Sequence, residues 1–476
     1  MKKIYIPIIA LFLSSCSNEF LELYPQTSLN ESNFYKSDEE FISLVNGGYI
    51  PMRNLAKTVN WDVSEVKSDN MDLQPSNTNI EQGRNENFLM SSASIVHKTL
   101  WDQSYKGIYS VNKTIESIEN NSYAWSDSEL KERSLGEVYF LRGLYYFDLL
   151  RQFGGVPLVL KEITSTEAVS IKRSSVQQVN DQIIADLNTA ISHFEKAGNT
   201  HENGRASLGA SQALLGKVYL TKKDFANAEK LLKLVIASGK YGLLKNYADV
   251  FNAGKKDYHE TIFSVQFSES AADLANSFIF FNAPSTSKGE VTGRASVALQ
   301  VNIAIKPTTD LINAFEENDQ RYAVAVGEWR GADDAGQLQD FFYCAKYKGP
   351  QTAILGWSGD NFPILRYSDV LLMYAEALNE LNRSTEAFTY VKQVRDRAGL
   401  LSDHSDLSKT SLAKVIEKER RVEFCFENQR WYDLLRTDRA IQVMQAVGKT
   451  ISEKDLLAPI PGDQILINQL EQNPGY

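Results

Sequence analysis

The sequence predicts a mainly α-helical protein, in which a scaffold of tetratricopeptide-like helical hairpins carries a loop-rich insertion with a few short strands. Apolar residues recur at helical spacing through the N-terminal half, and two segments place small residues twelve positions apart. The helical period is lost between about residues 258 and 363. With 43% hydrophobic and 23% charged residues, the 476-residue chain has the composition of an ordinary globular protein.

The N-terminal segment has the layout of a secretory signal. Lys2 and Lys3 precede an apolar run over residues 4–13, and two serines then lead into Cys16. Such a run would form about 15 Å of helix, roughly half of what the hydrocarbon core of a bilayer requires. We therefore expect residues 1–15 to be a signal peptide that addresses the chain and does not anchor it by spanning.

The sequence Leu-Ser-Ser-Cys ending at Cys16 resembles a bacterial lipobox, where signal peptidase cuts before a cysteine that becomes acylated. Two acyl chains already give stable anchoring, so the diacylglycerol and third chain of such a cysteine would hold the protein at a membrane. The alternative is a plain signal peptide cut elsewhere, with Cys16 incidental. The polar, Pro-containing segment 16–36 is expected to be a tether.

The formal net charge is −10, and losing the two lysines of the signal takes it to −12. This acidic balance disfavours nucleic acid as a partner and disfavours electrostatic attachment to anionic lipid. No later stretch reaches about 18 consecutive apolar residues, so no transmembrane helix is predicted in the mature chain.

Capping patterns and apolar periodicity predict the N-terminal helices. Capping boxes are indicated at Ser37–Glu40 and at Ser126–Glu129, each ahead of an apolar run. Ser175 is placed to cap an amphipathic helix over residues 176–194. Residues 37–257 are therefore predicted to form an N-terminal helical region.

Two segments carry the hairpin pattern. Gly216 and Ala228 lie twelve residues apart in the first, and Ala375 and Ala387 do so in the second. One small residue on each helix lets two antiparallel helices approach closely. The spacing resembles the tetratricopeptide repeat, although the usual early Trp and late Pro are absent.

The C-terminal region, residues 258–476, is predicted to include a loop-rich insertion over residues 268–362. The stretch "ETIFSVQF" before the insertion alternates like a strand, and the insertion itself is rich in Gly, Ser, Thr and Asn. A long irregular insertion on a helical scaffold is where functional residues tend to lie.

Motifs for catalysis are incomplete. The five histidines are scattered, and His201-Glu202 lacks the second histidine of a zinc-protease helix. We therefore predict a protein that is not an enzyme, with no metal and no cofactor. Sixty acidic residues still leave open a carboxylate pair at glycosidase separation.

Several conspicuous residues are interpreted as structural. The mixed charges between Glu417 and Arg436 are expected to pair across a helix hairpin. Trp101, Trp431 and Cys425 are interpreted as core residues, and Trp125 as a packing residue beside the Ser126 cap.

Ordered motifs then identify a family. In the C-terminal third they are "FPILRYSDVLLMYAEALNE", "VKQVRDRAGL", "IEKERRVEFCFENQRWYDLLRT" and "LLAPIPGDQILINQLEQNPGY". They resemble the successive signatures of the SusD/RagB family of Bacteroidetes outer-membrane lipoproteins. The N-terminal half fits as well, through "LWDQSYKGIYSVNKTIE" and "EVYFLRGLYYFDLLRQFGGVPLVL".

The resemblance implies a lipid-anchored nutrient-binding protein of the outer membrane that works with a SusC-like TonB-dependent transporter. Its ligand would be an oligosaccharide or polysaccharide or, in some branches, a peptide. Related lipoproteins carry acidic residues after the cysteine as a surface-export signal, for which Glu19 and Glu22 are available here. Alternative functions are a surface glycosidase and a helical scaffold that docks only to its barrel.

A glycan site needs flat aromatic faces with polar groups at the rim, because one face of a sugar ring consists of C–H groups. Three tryptophans stand in segments without a regular period, and polar residues lie near them in sequence. The candidate ligand-binding residues are Trp61, Trp329, Trp357, Asn77, Arg84 and Asp360. Burial of each tryptophan in a small core of its own loop is the competing interpretation.

Overall fold

The computed structural model describes residues 35–74, 79–198, 204–252, 254, 256, 259–287, 289–292, 305–333, 335–348, 357–401 and 405–476. The predicted signal peptide, Cys16 and nearly all of the tether lie outside these residues, as do Asn77 and His201.

Helices dominate the described chain, which confirms the predicted fold class. In chain order they are α1 (Asp38–Asn54), α2 (Ile80–Glu86), α3 (Ile95–Glu119), α4 (Ser128–Phe153), α5 (Ser165–Ser170), α6 (Val176–Lys196), α7 (Leu208–Thr221), α8 (Phe225–Ala237), α9 (Phe278–Asn282), α10 (Thr309–Ala314), α11 (Tyr322–Ala325), α12 (Tyr367–Glu380), α13 (Ser384–Arg397), α14 (Lys409–Glu423), α15 (Arg430–Arg436), α16 (Ala440–Ala446) and α17 (Gly462–Asn468). Two π-helical turns, Leu55–Val59 and Trp61–Glu65, continue the path of α1.

Local capping chemistry sets the starts of the long N-terminal helices. Ser37 and Glu40 form the predicted capping box at α1, and Ser175 forms one with Gln178 at α6. The predicted box at Ser126 is wrong, because α4 begins two residues later and the Asp127 carboxylate caps it. The Ser126 hydroxyl instead donates to Asp38 and so joins the starts of α1 and α4.

Both predicted helix hairpins are present, and their small residues lie at the helix contacts. The three-residue turn between α7 and α8 brings Gly216 against Leu232, where a Cβ on the glycine would lie 2.8 Å from the leucine Cγ. Ala375 on α12 and Ala387 on α13 are completely buried. The hairpins pack side by side through α8 and α12, while α1, α3, α4 and α6 pack in sequence towards α7.

Short strands hold the remainder to this helical scaffold. They are β1 (Met71–Leu73), β2 (Thr261–Val265), β3 (Ile305–Pro307), β4 (Val326–Ala332), β5 (Leu338–Cys344) and β6 (Phe362–Arg366). Within the described residues they form three antiparallel pairs, β1 with β3, β2 with β6 and β4 with β5. The predicted strand in "ETIFSVQF" is β2, and its pairing with β6 closes the base of the insertion.

The residues that we interpreted as structural lie inside. Trp101, Trp431 and Cys425 are at most 3% exposed. Cys425 and Cys344 are both buried free thiols, so the interpretation of Cys425 as a core residue is confirmed. Trp125 stacks on Phe41 of α1 with ring centroids 4.9 Å apart. Among the helices that the structure describes, none has the length and apolarity needed to cross a bilayer.

Candidate functional site

The β4–β5 hairpin of the insertion carries a row of aromatic residues on one face. Its register pairs Gly327 with Tyr343, Trp329 with Phe341 and Gly331 with Gln339. Because alternate residues of a strand share a face, these three pairs project from the same side of the hairpin. This face therefore carries three aromatic rings, two glycines and one glutamine.

The indole of Trp329 is held in place by three neighbours. Its ring lies across Gly331, and its centroid is 5.3 Å from that of Phe341 at an interplanar angle of 41°. The indole Nε1 donates to the Glu290 carboxylate at 2.7 Å. The ring is half-buried, so one part is fixed by packing and another part remains accessible.

A small apolar cluster packs against the face of the hairpin that carries Trp329. It consists of Ile279, Tyr343 and Ala345, with Phe280 and Val291 packed against it beside Trp329. The competing interpretation, burial in the loop's own core, therefore holds for part of the Trp329 ring. A platform for a sugar ring needs both properties, since a rigid aromatic side chain loses little entropy when a ligand stacks on it.

Trp357 lies near the same part of the insertion and is also half-buried. The next residue, Ser358, exchanges two backbone hydrogen bonds with Asn276, of 2.9 and 2.8 Å. The segment 276–282 thus connects Trp357 to the cluster under Trp329, because its Phe280 packs there. Trp329 and Trp357 are attached to one common support.

The structure corrects the expected position of Trp61. Its side chain is 4% exposed and packs among Phe278, Tyr347 and Phe362, at centroid distances of 5.9, 6.0 and 6.4 Å. Neither face of this ring is open to a ligand. Trp61 supports the insertion from below and does not form part of a surface platform.

The polar candidates also differ from expectation. Asp360 is 2% exposed and its carboxylate accepts from the Ser358 hydroxyl, so burial corrects its proposed place at the rim. Arg84 lies on α2, where it pairs with Glu81 at 2.8 Å and is half exposed. Asn77 falls outside the described residues. Of the polar candidates, Arg84 alone is a described surface side chain.

Both ends of the hairpin are anchored by buried ion pairs that the sequence did not reveal. Arg321, just before α11, pairs with Glu419 at 2.5 Å, and Lys346, just after β5, pairs with Glu427 at 2.6 Å. Arg366, at the end of β6, pairs with Glu423 and Glu427 at 3.0 and 2.8 Å. These basic residues are at most 2% exposed.

The carboxylate of Glu423, in the middle of this buried network, is held in its ionised form. Burial by itself would raise the pKa of Glu423, but the guanidinium groups of Arg397, Arg366 and Arg321 outweigh it and hold that pKa well below its usual range. The predicted pairing of the charges between Glu417 and Arg436 is confirmed, yet the partners extend well beyond one hairpin. The four-residue spacing of Glu419, Glu423 and Glu427 was the available signal in the sequence.

Catalysis would need a metal site or a titratable group that a substrate can reach. Among the described residues, no group of three or more His, Cys, Asp or Glu side chains is placed to hold a metal ion. Burial raises the pKa of Asp62 and of Glu65 to about 7, the range of a general acid. Both carboxyl groups are below 8% exposed, so a substrate does not reach them in this structure.

A second aromatic surface lies on the N-terminal helices. It is an apolar groove of about 470 Å³ between α3, the segment after α4 and α17, lined by Trp101, Tyr105, Tyr109, Val159, Ile163 and Ile171. Tyr109 is 47% exposed and donates its hydroxyl to Glu162. The groove is the alternative place at which a sugar ring could stack.

Comparison with known proteins agrees with the fold and with the motifs. A model described as the SusD family matches residues 333–476, and a model described as "Starch-binding associating with outer membrane" matches residues 19–220. The SusD-like protein P2 of Formosa agariphila is 26% identical, with all of both chains covered.

Solved structures have the same architecture. A SusD superfamily protein from Parabacteroides distasonis superposes with a TM-score of 0.80 at 26% identity, covering 94% of this chain and 100% of that chain. A laminarin-binding SusD-like protein superposes with a TM-score of 0.78 at 24% identity, covering 93% and 100%. At 24% identity, the likeness to the laminarin-binding protein shows a shared fold.

Proposed function

The chain belongs to the SusD/RagB family, and from this premise we propose that it binds an oligosaccharide or polysaccharide nutrient and delivers it to a SusC-like TonB-dependent transporter. The observation that carries the proposal is the half-buried Trp329 ring, fixed by Phe341, Gly331 and Glu290. A pre-positioned aromatic face with a carboxylate at its edge is the chemistry that a sugar ring requires. Trp357 is proposed as a second member of the platform, and Arg84 and Asn77 stay proposed as polar contacts.

The proposed location is the outer membrane, facing the exterior, with acylation at Cys16 as the anchor. One matching family model describes proteins that associate with the outer membrane, which supports this location. Replacement of Cys16 by Ala should release the protein from the membrane fraction, because no acylated cysteine would then remain. Mass spectrometry of the wild-type N-terminus would show the acyl chains directly, and a bare N-terminus would contradict the anchor.

Members of this family are binding proteins, and we propose the same for this chain. Laminarin is a reasonable first ligand to test, since one solved structure of the same fold is that of a laminarin-binding protein. Calorimetry of the full chain in detergent with a panel of neutral and acidic polysaccharides would test glycan binding. Heat with peptides alone would instead favour peptide import, and release of product from any glycan would favour a glycosidase.

Two matched variants locate the site. Trp329→Ala should weaken glycan binding by about tenfold or more, the loss typical of a central aromatic anchor. Tyr109→Ala removes a comparably accessible ring from the N-terminal groove and should leave the affinity unchanged. Weaker binding by Tyr109→Ala and unchanged binding by Trp329→Ala would place the glycan in the groove. Co-purification of a TonB-dependent barrel with the protein would test the proposed transporter.

A further inference from the structure

A cavity of about 220 Å³ with a mixed polar and apolar lining lies where α1 meets the segment at Gly204 and Arg205 and strand β2. It is smaller than the pockets that hold drug-sized ligands and is suited to a single sugar unit or a small charged group. Its polar and aromatic lining residues are Asn46, Tyr49, Arg53, Arg205, Phe263, Ser264 and Gln266. We refer to it as the Arg53 cavity.

One of its two arginines is neutralised within the protein. The Arg205 guanidinium pairs with the Glu137 carboxylate at 2.7 Å, and the same carboxylate accepts from the Tyr49 hydroxyl at 2.5 Å. Arg205 also lies over the Tyr49 ring, 5.1 Å from its centroid. This group therefore shapes one wall of the cavity and adds no uncompensated charge.

The second arginine differs in its contacts. Arg53 donates its Nε to the backbone oxygen of Gln266 at 3.3 Å, and it forms no ion pair among the described residues. Lys57, one helical turn further on, donates to the backbone oxygens of Ala272 and Asp273 at 3.4 and 3.1 Å. Burial, and then the charge of Arg53, lower the pKa of Lys57, while the Asp273 carboxylate acts in the opposite direction.

The neutral part of the wall is rigid. The Gln266 amide accepts from Asn361 Nδ2 at 2.7 Å and donates to the Ser264 hydroxyl at 2.7 Å. Its side chain lies against Gly204, where a Cβ would come within 2.6 Å of it. Because Gly204 has a φ of +84°, both the backbone and the available space favour glycine at this position. The Arg53 guanidinium therefore lies beside a fixed polar wall.

The cavity is connected to the candidate glycan site. Asn361, which holds Gln266, also accepts from the Phe267 backbone N–H at 3.0 Å and stands four residues after Trp357. Trp357 and the amide that fixes the cavity wall therefore belong to the same short segment of the chain.

We propose that the Arg53 cavity is an anion subsite that binds the carboxylate or sulfate ester of an acidic saccharide. The proposal rests on the proposed function and narrows its substrate class to acidic glycans. The Arg53 guanidinium donates hydrogen bonds to the anionic group, as guanidinium groups do to planar oxyanions. Asn46 and the Tyr49 ring contact the sugar.

The test compares ligands that differ only in charge. Trigalacturonate and its methyl ester have the same rings, and a sulfated galactan oligosaccharide supplies the other anion. Calorimetry with the full chain in detergent should show binding of at least one anionic ligand about tenfold tighter than its neutral counterpart. Added salt should reduce this preference, because the Arg53 side chain is partly exposed to solvent.

Arg53→Gln should abolish the preference for the anionic form and leave binding of the methyl ester unchanged. Arg383→Gln is the matched control, since that arginine lies on the scaffold hairpin and pairs with Glu386 at the surface. Asn46→Ala, at an exposed helix position, provides a second variant that should reduce the preference if Arg53→Gln does not fold.

An undiminished preference in Arg53→Gln, or tighter binding of neutral glycans by the wild type, would overturn the anion subsite and leave glycan binding intact. Absence of binding to every glycan would overturn the proposed function itself.

Discussion

Trp329 lies across Gly331, two residues further along strand β4, so closely that a Cβ on the glycine would be 2.0 Å from the indole. A similar close contact crosses the hairpin, because a Cβ on Gly327 would be 2.2 Å from the ring of its β5 partner Tyr343. Side chains at alternate strand positions share a face, so each glycine leaves its ring the space to fold down over the hairpin. The glycines thereby set the orientation of the proposed platform.

Gly331→Ala should displace the Trp329 ring and weaken glycan binding. The backbone of Gly331 does not have a positive φ, so alanine is tolerated there by the chain and the clash falls on the indole. A shifted ring would lose its hydrogen bond to Glu290, and we expect about a tenfold loss of affinity. Calorimetry measures the affinity, and tryptophan fluorescence reports the ring. Gln339→Ala, at the paired position of β5, is the control, and equal affinities for both variants would contradict this role of the glycine.

The sequence placed Trp329 in a glycine-flanked segment of the insertion without a regular period, whereas the structure places it on strand β4. The sequence was misleading at Trp61 as well. The helical period is lost around Trp61 because the chain forms π-helical turns over Leu55–Val59 and Trp61–Glu65. A π-helix has more residues per turn than the α-helical template, so a buried helical segment has the sequence pattern of a loop. We inferred that Trp61 is exposed because the helical period is lost there, but the π-helical turns cause that loss.

The anchoring of the insertion could not be predicted from local patterns. Helical spacing reveals partners three or four residues apart, whereas Arg366 pairs with Glu260 and Glu427, respectively 106 and 61 positions away in the chain. The hairpins of the scaffold were predictable because their contacts join neighbouring helices. The site depends on contacts between distant segments. A single sequence shows the spacing of the acidic residues in these contacts but does not identify their basic partners.

Arg366→Ala should strongly destabilise the protein. Its guanidinium is 1% exposed and contacts Glu260, Glu423 and Glu427, so its removal leaves buried carboxylates without a counter-charge. We expect a loss of about 3–5 kcal/mol in the free energy of unfolding. Arg330→Ala, which removes a 71% exposed partner of Asp340, should cost less than about 1 kcal/mol. Denaturant titration measures both, and similar values would show that the buried network does not stabilise the insertion.

Gly216→Val should destabilise the first scaffold hairpin. A Cβ at this position already approaches Leu232 to 2.8 Å, and the branched valine adds two methyl groups to that contact. The gain in helix propensity over glycine is below about 1 kcal/mol, whereas overpacking costs about 1–3 kcal/mol, so destabilisation should prevail. Thermal unfolding followed by circular dichroism measures the change. The control is Lys233→Ala, on the exposed face of α8. Gly239→Ala is unsuitable as a control, because Gly239 has a positive φ.

Lys67→Met should stabilise the protein, and more so at low pH. Lys67 is completely buried, its Nζ has no hydrogen-bond partner among the described residues, and it lies 4.6 Å from the centroid of the Trp431 ring. Burial lowers its pKa to about 7, although the charge of Asp455 acts in the opposite direction. The buried His97, whose own pKa is lowered by burial and then by Lys67, also faces this charge.

The pH dependence of the Lys67 effect follows from its two pKa values. An unfolded lysine titrates at about 10.4, so between about pH 7 and 10.4 the unfolded state binds the proton that the folded state does not. Stability of the wild type therefore rises with pH through this window, and below it the folded protein must carry the buried charge. Methionine keeps the apolar stem and its contact with the aromatic rings but has no charge. Lys67→Met should therefore raise the free energy of unfolding by about 1–2 kcal/mol at pH 6, and by progressively less towards pH 10. Denaturant titrations at both pH values measure the difference, and a gain that grows with pH would contradict the assignment.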